Sequence, residues 1–167
     1  RNEHRNNILH MTIAPAEVSE DVAKEAHELA LRLAQGFELA GILAIELFVT
    51  KDERVIVNEL APRPHNSGHY TIEACSFDQF DAHIRGIAGW PLEQPELLKP
   101  AVMVNVLGQH VAPTRALIAE HPEWNMHDYC KAEVRHDRKM GHITVLTDDT
   151  RQTVADLERT GCWDDLK

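Results

Sequence analysis

A strand that ends in a proline-punctuated polar loop limits the folds open to this chain more than any other stretch. Residues 55–69 read Val-Ile-Val-Asn-Glu-Leu-Ala-Pro-Arg-Pro-His-Asn-Ser-Gly-His. The β-branched residues favour a strand that presents Asn58 and Glu59 near its end. Pro62 and Pro64 then restrict the backbone to extended or turn geometry, so we expect a non-helical loop. That loop carries several polar side chains: Arg63, His65, Asn66, Ser67 and His69. The sequence therefore predicts a functional site at a strand end.

A second constraint comes from a glutamate within an apolar strand. Residues 42–50 form an almost continuous apolar run, which is typical of a strand covered on both faces, and Glu46 interrupts it. Residues 51–54 predict a hairpin turn that leads into the strand over residues 55–60. Symmetric pairing about this turn places Glu46 directly opposite Glu59, with Cβ atoms about 5 Å apart.

Two carboxylates at that distance destabilise a sheet unless a cation lies between them. Mg²⁺ is the favoured cation, because it prefers carboxylate oxygens and commonly shares its shell with phosphates. Two alternatives stay open. A lysine or arginine neutralises one carboxylate, or the turn is asymmetric and Glu46 does not face Glu59.

The remaining pattern alternates helices and strands. We predict an amphipathic helix between an N-cap at Ser19 and Gly36. Three further helices and four further strands are predicted by range: helices over 70–88, 113–120 and 154–160, and strands over 8–13, 101–107, 126–135 and 143–147. Within the 70–88 helix, the positions predicted to be buried are Ile72, Cys75, Phe80, Ile84 and Ile87. A proline-punctuated connection over 92–100 is the best internal boundary.

These elements predict an α/β (α+β) fold with a mixed or antiparallel sheet and flanking helices. We expect residues 1–99 to form one domain and residues 100–167 a small β-rich domain. With 167 residues, 43% of them hydrophobic and 26% charged, the chain has the composition of an ordinary globular protein.

Charge and cysteine usage exclude some classes of partner and compartment. The net charge of −10 argues against non-specific binding to nucleic acid or to a membrane surface. No apolar run approaches the length of a transmembrane helix, and the first residues are not a signal peptide. Three widely spaced cysteines without a CxxC pair favour free thiols in a reducing cytoplasm over a disulfide or zinc framework. Because the chain starts at Arg1 without a methionine, we expect it to enter in the middle of a longer protein.

A basic cluster lies near the predicted second hairpin. Strand alternation over residues 129–135 would put Tyr129, Lys131, Glu133 and Arg135 on one face, with Cys130, Ala132 and Val134 toward the core. Arg138 and Lys139 follow in the turn. Such a concentration of cations in an acidic chain indicates a clamp for phosphate or carboxylate. An edge strand protected by charge against aggregation explains it equally well.

Several familiar catalytic patterns are missing from the sequence. It contains no Walker A loop, no GxGxxG and no GxSxG. His65 and His69 have HxxxH spacing, but Pro64 precedes the pair and no HExxH glutamate accompanies it, so zinc peptidase chemistry is not expected.

The quoted segments together resemble one enzyme family. The string from Asn58 to His69 (NELAPRPHNSGH), the preceding AIELF and the following RKMGH resemble the N5-carboxyaminoimidazole ribonucleotide synthetases, which are ATP-grasp enzymes of de novo purine synthesis. The resemblance covers essentially the whole chain, as the carboxy-terminal portion of such an enzyme. It implies that ATP, bicarbonate and 5-aminoimidazole ribonucleotide react through carboxyphosphate to N5-carboxyaminoimidazole ribonucleotide, ADP and phosphate. It also implies a cytoplasmic homodimer in the full-length enzyme.

The resemblance assigns a role to each matched residue. Glu46 and Glu59 would hold Mg²⁺, with Mn²⁺ as an alternative, and Asn58 would lie beside the ATP phosphates. Arg63, His65 and Asn66 would face the bicarbonate-derived group and the aminoimidazole. The nucleotide pocket would be completed by Ser67, Gly68 and His69, and the ribonucleotide phosphate would be bound by Lys131 and Arg138.

Two departures from the family pattern are visible. His136-Asp137 stands where the family commonly has Pro-Gly, which puts the reach of Arg138 in doubt. The chain also has no counterpart of the family's amino-terminal domain or of its adenine-binding residues, so we expect these residues alone to be inactive. Two other functions stay open: another purine-pathway ATP-grasp ligase, such as the formate-dependent glycinamide ribonucleotide transformylase, and a non-catalytic binding domain on the same scaffold.

Overall fold

Two antiparallel sheets and five α-helices make up the computed structural model, which describes residues 1–164. The strands are β1 (Asn2–Arg5), β2 (Ile8–Ala14), β3 (Ala44–Val49), β4 (Val55–Ala61), β5 (Ala101–Leu107), β6 (Asn125–Asp128) and β7 (Lys139–Leu146). The helices are α1 (Glu20–Gly36), α2 (Thr71–Ala74), α3 (Gln79–Ala88), α4 (Val111–Leu117) and α5 (Thr150–Arg159). The predicted α/β class with antiparallel sheet and flanking helices is confirmed.

The larger sheet has the strand order β1-β2-β5-β7-β6, and β5 is its central and most buried strand. Val102, Met103 and Val104 are fully buried, so both faces of β5 are covered. One face packs on a core that includes Trp124, Trp163 and side chains of β2, β7 and α5. Its other face carries Asn105, which contacts the loop after β4. The apolar run that predicted this strand is therefore confirmed, and burial explains its composition.

The larger sheet takes strands from both sides of the boundary expected near residue 100. β2 pairs with β5 through Met11↔Val104 to Ala14↔Ala101, and β5 pairs with β7. The division into residues 1–99 and 100–167 stays a prediction about sequence units, because the main-chain hydrogen bonds of one sheet join them.

The smaller sheet is the predicted hairpin β3–β4, and Glu46 does lie opposite Glu59. Pairing is not symmetric about the turn, however: Leu47 faces Val57, so the register shifts at Asn58. Asn58 is the extra residue of a β-bulge, in which two residues of one strand oppose one residue of the other. The predicted opposition of the glutamates is confirmed, whereas the predicted uniform register is wrong.

The single helix predicted over residues 70–88 is wrong, because the segment forms two helices, α2 and α3. Cys75 is extended and pairs in an isolated bridge with Leu97, which interrupts the helical hydrogen bonds. Asp78 then caps α3, its carboxylate accepting from the backbone N–H groups of Phe80 and Asp81. The helix ends, as predicted, at Gly89, whose φ of 65° is left-handed.

The strand predicted over residues 126–135 ends much earlier, at Asp128. Cys130 has a φ of 50° and is exposed, and Val134 is 59% exposed, so the predicted alternation of core and solvent faces is wrong. The alternating polar and apolar residues belong to a connection that runs from β6 to β7. The pairing of β6 with β7 confirms the second hairpin itself, with a longer connection than expected.

Several apolar side chains that were expected to be buried are exposed. On α3, Phe80 is 43% exposed and Ile84 and Ile87 are each 58% exposed. On β3, which was predicted to be covered on both faces, Phe48 is 59% exposed. The apolar pattern of these elements is satisfied only in part by contacts within residues 1–164.

The strand predicted over 8–13 and the helices predicted around 113–120 and 154–160 are confirmed as β2, α4 and α5, with boundaries shifted by a few residues. Ser19 caps α1, its hydroxyl accepting from the Val22 N–H. Among the helices of residues 1–164, none combines the length and the apolar character needed to cross a bilayer.

Two isoleucines provide a matched test of where the core lies. Ile143 is fully buried in the central sheet, so Ile143→Ala should lower the free energy of unfolding by about 2–5 kcal/mol. Ile84→Ala makes the same chemical change at an exposed position of α3 and should cost less than about 1 kcal/mol. Urea unfolding followed by circular dichroism measures both values. Equal losses in the two variants would show that α3 is buried in solution.

Candidate active site

A cleft of about 460 Å³ lies where the hairpin β3–β4, the loop after it and the start of β7 meet. Its charged and titratable lining consists of His4, Glu46, Glu59, His65, Lys131, Asp137 and Lys139. Residues far apart in the sequence are therefore brought together, including both predicted metal-binding glutamates, one predicted catalytic residue and two residues of the basic cluster, Lys131 and Lys139.

A larger cleft, of about 910 Å³, lies between α1 and the hairpin β3–β4. Glu46 lines this cleft too, together with Asn58 and Ser67. The Glu46 carboxylate thus lies between two cavities, one shared with Asn58 and the other with Glu59 and the lysines. This arrangement can present one carboxylate to two different ligands.

The bulge at Asn58 gives the Glu46 carboxylate a neighbour on each side. The Asn58 amide Nδ2 donates to Glu46 Oε2 at 3.4 Å, and Glu59 lies opposite Glu46 in the sheet. The Glu46 side chain is 14% exposed, which keeps its charge partly out of water. A half-buried carboxylate beside a second one requires a positive partner.

Lys139 lines the cleft of both glutamates, as Lys131 does, and the pKa of its ammonium depends on the charges of both glutamates. Burial lowers the pKa of the Lys139 ammonium, the negative charges of Glu46 and Glu59 raise it, and Arg63 and Lys131 lower it further. The Lys131 ammonium is tied nearby, because its Nζ donates to the Lys139 carbonyl oxygen at 2.6 Å. Lys139, which the sequence placed only in a turn, therefore supplies a positive charge that interacts with both glutamates, in line with the lysine alternative left open by the sequence.

The two carboxylates also fit a magnesium ion by the chemistry of their donors. Within residues 1–164, no group of three or more His, Cys, Asp or Glu side chains is arranged to hold a metal ion. Glu46 and Glu59 supply two hard oxygen ligands, and Mg²⁺ commonly completes its shell with water and substrate phosphates. Two protein carboxylates that face a cleft are thus sufficient for a site that forms together with a nucleotide.

The loop after β4 places its polar side chains in different directions. His65 lines the smaller cleft, and its Nδ1 accepts a hydrogen bond from the Ser67 backbone N–H while lying 2.8 Å from Ser67 Oγ. The other ring nitrogen, Nε2, is the one that these contacts leave for a ligand. Residues Asn66–Gly68 form a short 3-10 turn. The expectation of a wholly non-helical loop is wrong there, because Pro64 restrains only its own φ and the residue before it, Arg63, and leaves the following residues free to turn.

His69 lies away from the smaller cleft, in a stack of aromatic rings. Its imidazole stacks on that of His142 at 4.7 Å between ring centroids, and His142 stacks on His127 at 4.5 Å. At the end of the stack, His127 Nε2 forms a hydrogen bond with Glu73 Oε1. The Tyr129 hydroxyl lies 2.9 Å from His142 Nδ1. This stack cannot be predicted from the sequence, since its members come from three separate segments.

Burial keeps the middle of the stack uncharged. Burial lowers the pKa of His69 to about 4, with smaller effects from the positive charges of His127, Lys139 and His65. Burial lowers the pKa of His142 to about 3, assisted by His69 and His127. Both rings are therefore neutral at physiological pH, so they support the loop by packing and hydrogen bonding.

The structure does not bring Arg138 into the lining of the smaller cleft. Its guanidinium donates to the Glu133 carbonyl oxygen at 3.2 Å and is exposed. The turn before it is nevertheless well defined: Asp137 has a φ of 58°, the left-handed region that glycine prefers. Gln109 holds Asp137 there, donating to its carboxylate and accepting from its backbone N–H. The Gln109 side chain thus stabilises an aspartate in a backbone conformation that glycine prefers.

Comparison with models of known protein families first identifies the class of protein to which the chain is similar. Residues 1–80 match the ATP-grasp domain, and residues 101–156 match the phosphoribosylaminoimidazole carboxylase C-terminal domain. Residues 1–80 therefore belong to the ATP-grasp family, and residues 101–156 carry the second domain.

The particular branch follows from individual relatives. The chain is 48% identical over 157 residues to N5-carboxyaminoimidazole ribonucleotide synthase of Staphylococcus aureus, covering 93% of this chain and 41% of that protein. A solved N5-carboxyaminoimidazole ribonucleotide synthetase with ADP has a TM-score of 0.95 at 44% identity, covering 98% of this chain and 43% of that one. The Aspergillus clavatus enzyme, solved with ADP and 5-aminoimidazole ribonucleotide, has a TM-score of 0.87 at 32% identity, covering 95% and 44%. The chain spans about two fifths of the length of the curated relatives it matches.

The neutral histidines predict how stability depends on pH. Between pH 6.5 and about 4, the unfolded chain takes up protons on His69 and His142, whereas the folded protein does not. Stability should therefore fall as the pH falls through this window, by at most about 1.4 kcal/mol per pH unit for each histidine.

Urea unfolding at about pH 7 and about pH 5 measures the effect as a difference within each variant. His142→Gln should reduce the difference between the two pH values, because one of the buried rings is gone. His4→Gln removes an exposed ring and should leave the difference unchanged. An equal pH dependence in all three proteins would contradict the assignment.

Proposed function

We propose that a protein of its relatives' length containing this chain carboxylates 5-aminoimidazole ribonucleotide. ATP and bicarbonate would form carboxyphosphate, and the aminoimidazole would be carboxylated to N5-carboxyaminoimidazole ribonucleotide, leaving ADP and phosphate. The observation that carries the proposal is that the opposed Glu46 and Glu59 open into one cleft with His65, Lys131 and Lys139. Support comes from the fold of synthetases that were solved with ADP and with 5-aminoimidazole ribonucleotide.

On the ATP side, Glu46 and Glu59 would hold Mg²⁺, with Mn²⁺ as an alternative. A divalent ion held there would supply positive charge that offsets the negative charge of the phosphates during transfer. Asn58 lines the larger cleft beside Glu46, which suits its proposed place next to the ATP phosphates. With a metal neutralising the glutamates, Lys139, which lines the same cleft, would be available to an anionic ligand there.

On the carboxylation side, Arg63, His65 and Asn66 would face the bicarbonate-derived group and the aminoimidazole. Arg63 carries a fixed positive charge and a planar fork that suits an anionic carboxylate. Ser67, Gly68 and His69 would complete the nucleotide pocket; in this structure they hold the loop, with Ser67 against His65 and His69 in the ring stack. Lys131 would bind the ribonucleotide phosphate, and Arg138 would join it by turning away from Glu133.

We also propose that the full-length protein is a cytoplasmic homodimer. The exposed apolar side chains of α3 and β3 support an additional packing partner. Light scattering of the full-length protein distinguishes a dimer from a monomer.

The metal assignment predicts the effect of removing one carboxylate. In the full-length protein, Glu59→Gln should lower bicarbonate- and nucleotide-dependent phosphate release by about 100-fold or more, because a charged ligand becomes a neutral one. Raising the Mg²⁺ concentration should restore part of the activity. Glu25→Gln makes the same change on the exposed face of α1 and should leave turnover as it is. Unchanged turnover in Glu59→Gln would remove the metal assignment.

The choice of nucleotide separates the proposed reaction from its rivals. Phosphate release that requires both bicarbonate and 5-aminoimidazole ribonucleotide is expected. Release with formate and glycinamide ribonucleotide instead would identify the other purine-pathway ligase. ADP binding without turnover of any of these substrates would favour a non-catalytic binding domain.

A further inference from the structure

Two buried amide side chains, Gln79 and Asn105, form hydrogen bonds with the loop that carries His65 and Asn66, each from a different side of the loop. We propose that Gln79 and Asn105 are positioning residues, which set the direction of His65 and Asn66 before substrates bind; their effect on turnover rests on the proposed function. Neither residue lines the smaller cleft, so each would act through the loop.

Gln79 holds the loop through both ends of its amide. Its Oε1 accepts from the His65 backbone N–H at 2.8 Å, and its Nε2 donates to the His65 carbonyl oxygen at 2.9 Å. Because a backbone N–H can only donate, the orientation of this amide is fixed. Nε2 also lies 2.9 Å from His69 Nδ1, which must then accept, so the neutral His69 ring carries its proton on Nε2.

The backbone of Gln79 is also linked to the loop, through Thr71. The Gln79 N–H donates to Thr71 Oγ1 at 3.1 Å, and Thr71 Oγ1 donates to the Gly68 carbonyl oxygen at 2.6 Å. A Cβ at Gly68 would lie 2.5 Å from Gln79 Oε1, so only glycine permits this approach. The side chain is 6% exposed, and its polar atoms gain their partners from the loop rather than from water.

Asn105 holds the next residue of the loop from the central sheet. Its Oδ1 accepts from Asn66 Nδ2 at 2.9 Å, and its Nδ2 donates to Asn66 Oδ1 at 2.6 Å and to the Leu9 carbonyl oxygen at 2.8 Å. Asn105 is 1% exposed and is a polar interruption of the apolar strand β5. A buried amide at that position is costly unless every bond is made, and Asn66 makes two of them.

The two amides therefore fix adjacent residues against different elements, α3 for His65 and β5 for Asn66. Both need a donor and an acceptor at the same time, which a side-chain amide supplies and a carboxylate does not. A carboxylate of the same shape leaves the donor positions empty and repels the acceptors that remain. The loop would then sample more orientations, and binding would have to restore the correct one.

The test replaces Gln79 by Glu in the full-length protein and reads two properties. Hydrogen exchange by mass spectrometry, without substrates, should show lost protection in residues 63–70 and unchanged protection in β5 and β7. Phosphate release should show kcat/KM for the aminoimidazole nucleotide reduced by about 10- to 100-fold, with the KM for ATP changed less than about twofold. Gln35→Glu, an exposed position at the end of α1, is the matched control and should match the parent in both properties.

The two readouts separate the possible failures. Unchanged loop protection and unchanged kinetics in Gln79→Glu would overturn the positioning role. Loss of protection spread through the central sheet, with all kinetic constants reduced together, would also overturn it and make Gln79 merely structural. If the parent releases no phosphate with the aminoimidazole nucleotide, the proposed function fails, and hydrogen exchange alone still decides whether Gln79 orders the loop.

Asn105→Asp tests the second flank in the same way. Loop protection should fall at residues 65–67, and nucleotide kcat/KM should fall at unchanged ATP KM. If this variant does not fold, because a carboxylate cannot be buried in β5, the Gln79 result decides the proposal.

Discussion

Repulsion between two carboxylates is the constraint around which this site is built. Glu46 and Glu59 face each other across a hairpin that would be more stable with almost any other pair. Neighbouring groups reduce that repulsion: the Asn58 amide donates a hydrogen bond to Glu46, and Lys139 lies in the same cleft as both glutamates. The positive charge comes from β7, so the electrostatics of the hairpin depend on the larger sheet being in place. A metal and nucleotide would take over a role that Lys139 fills only in part.

The parts of the fold that the sequence predicts well are those whose pattern is local and complete. The strand β5 is buried on both faces, and the helix α1 has a cap and a regular apolar spacing, so both can be recognised from their own residues. The segment 70–88 could not, because the break at Cys75 depends on a bridge to Leu97. The basic stretch after Asp128 alternates like a strand, but within residues 1–164 no neighbouring strand pairs with it.

The candidate site was predicted in part for the same reason. The residues from Asn58 to His69 are contiguous, and their sequence is specific enough to indicate the resemblance to the synthetase family. Lys139 was visible in the sequence as part of a basic cluster, but only the fold brings it to the glutamates. Gln79 and Asn105 had weaker signals: a lone amide in an apolar strand marks Asn105, whereas Gln79 looked like one polar position among many in a helix. Their role depends on hydrogen bonds to residues that are distant in the sequence.

The bulge at Asn58 has a consequence for the chemistry that no list of site residues contains. Side chains of a strand alternate between two faces, so one extra residue reverses the phase of everything beyond it. Without the bulge, the register of the turn would continue, Glu46 would face Asn58, and Glu59 would emerge on the opposite face of the hairpin. The chain could thus keep every residue of the site and lose the pair of charges. The strand register, which decides on which face each side chain lies, determines as much as residue identity whether this sequence can hold a cation.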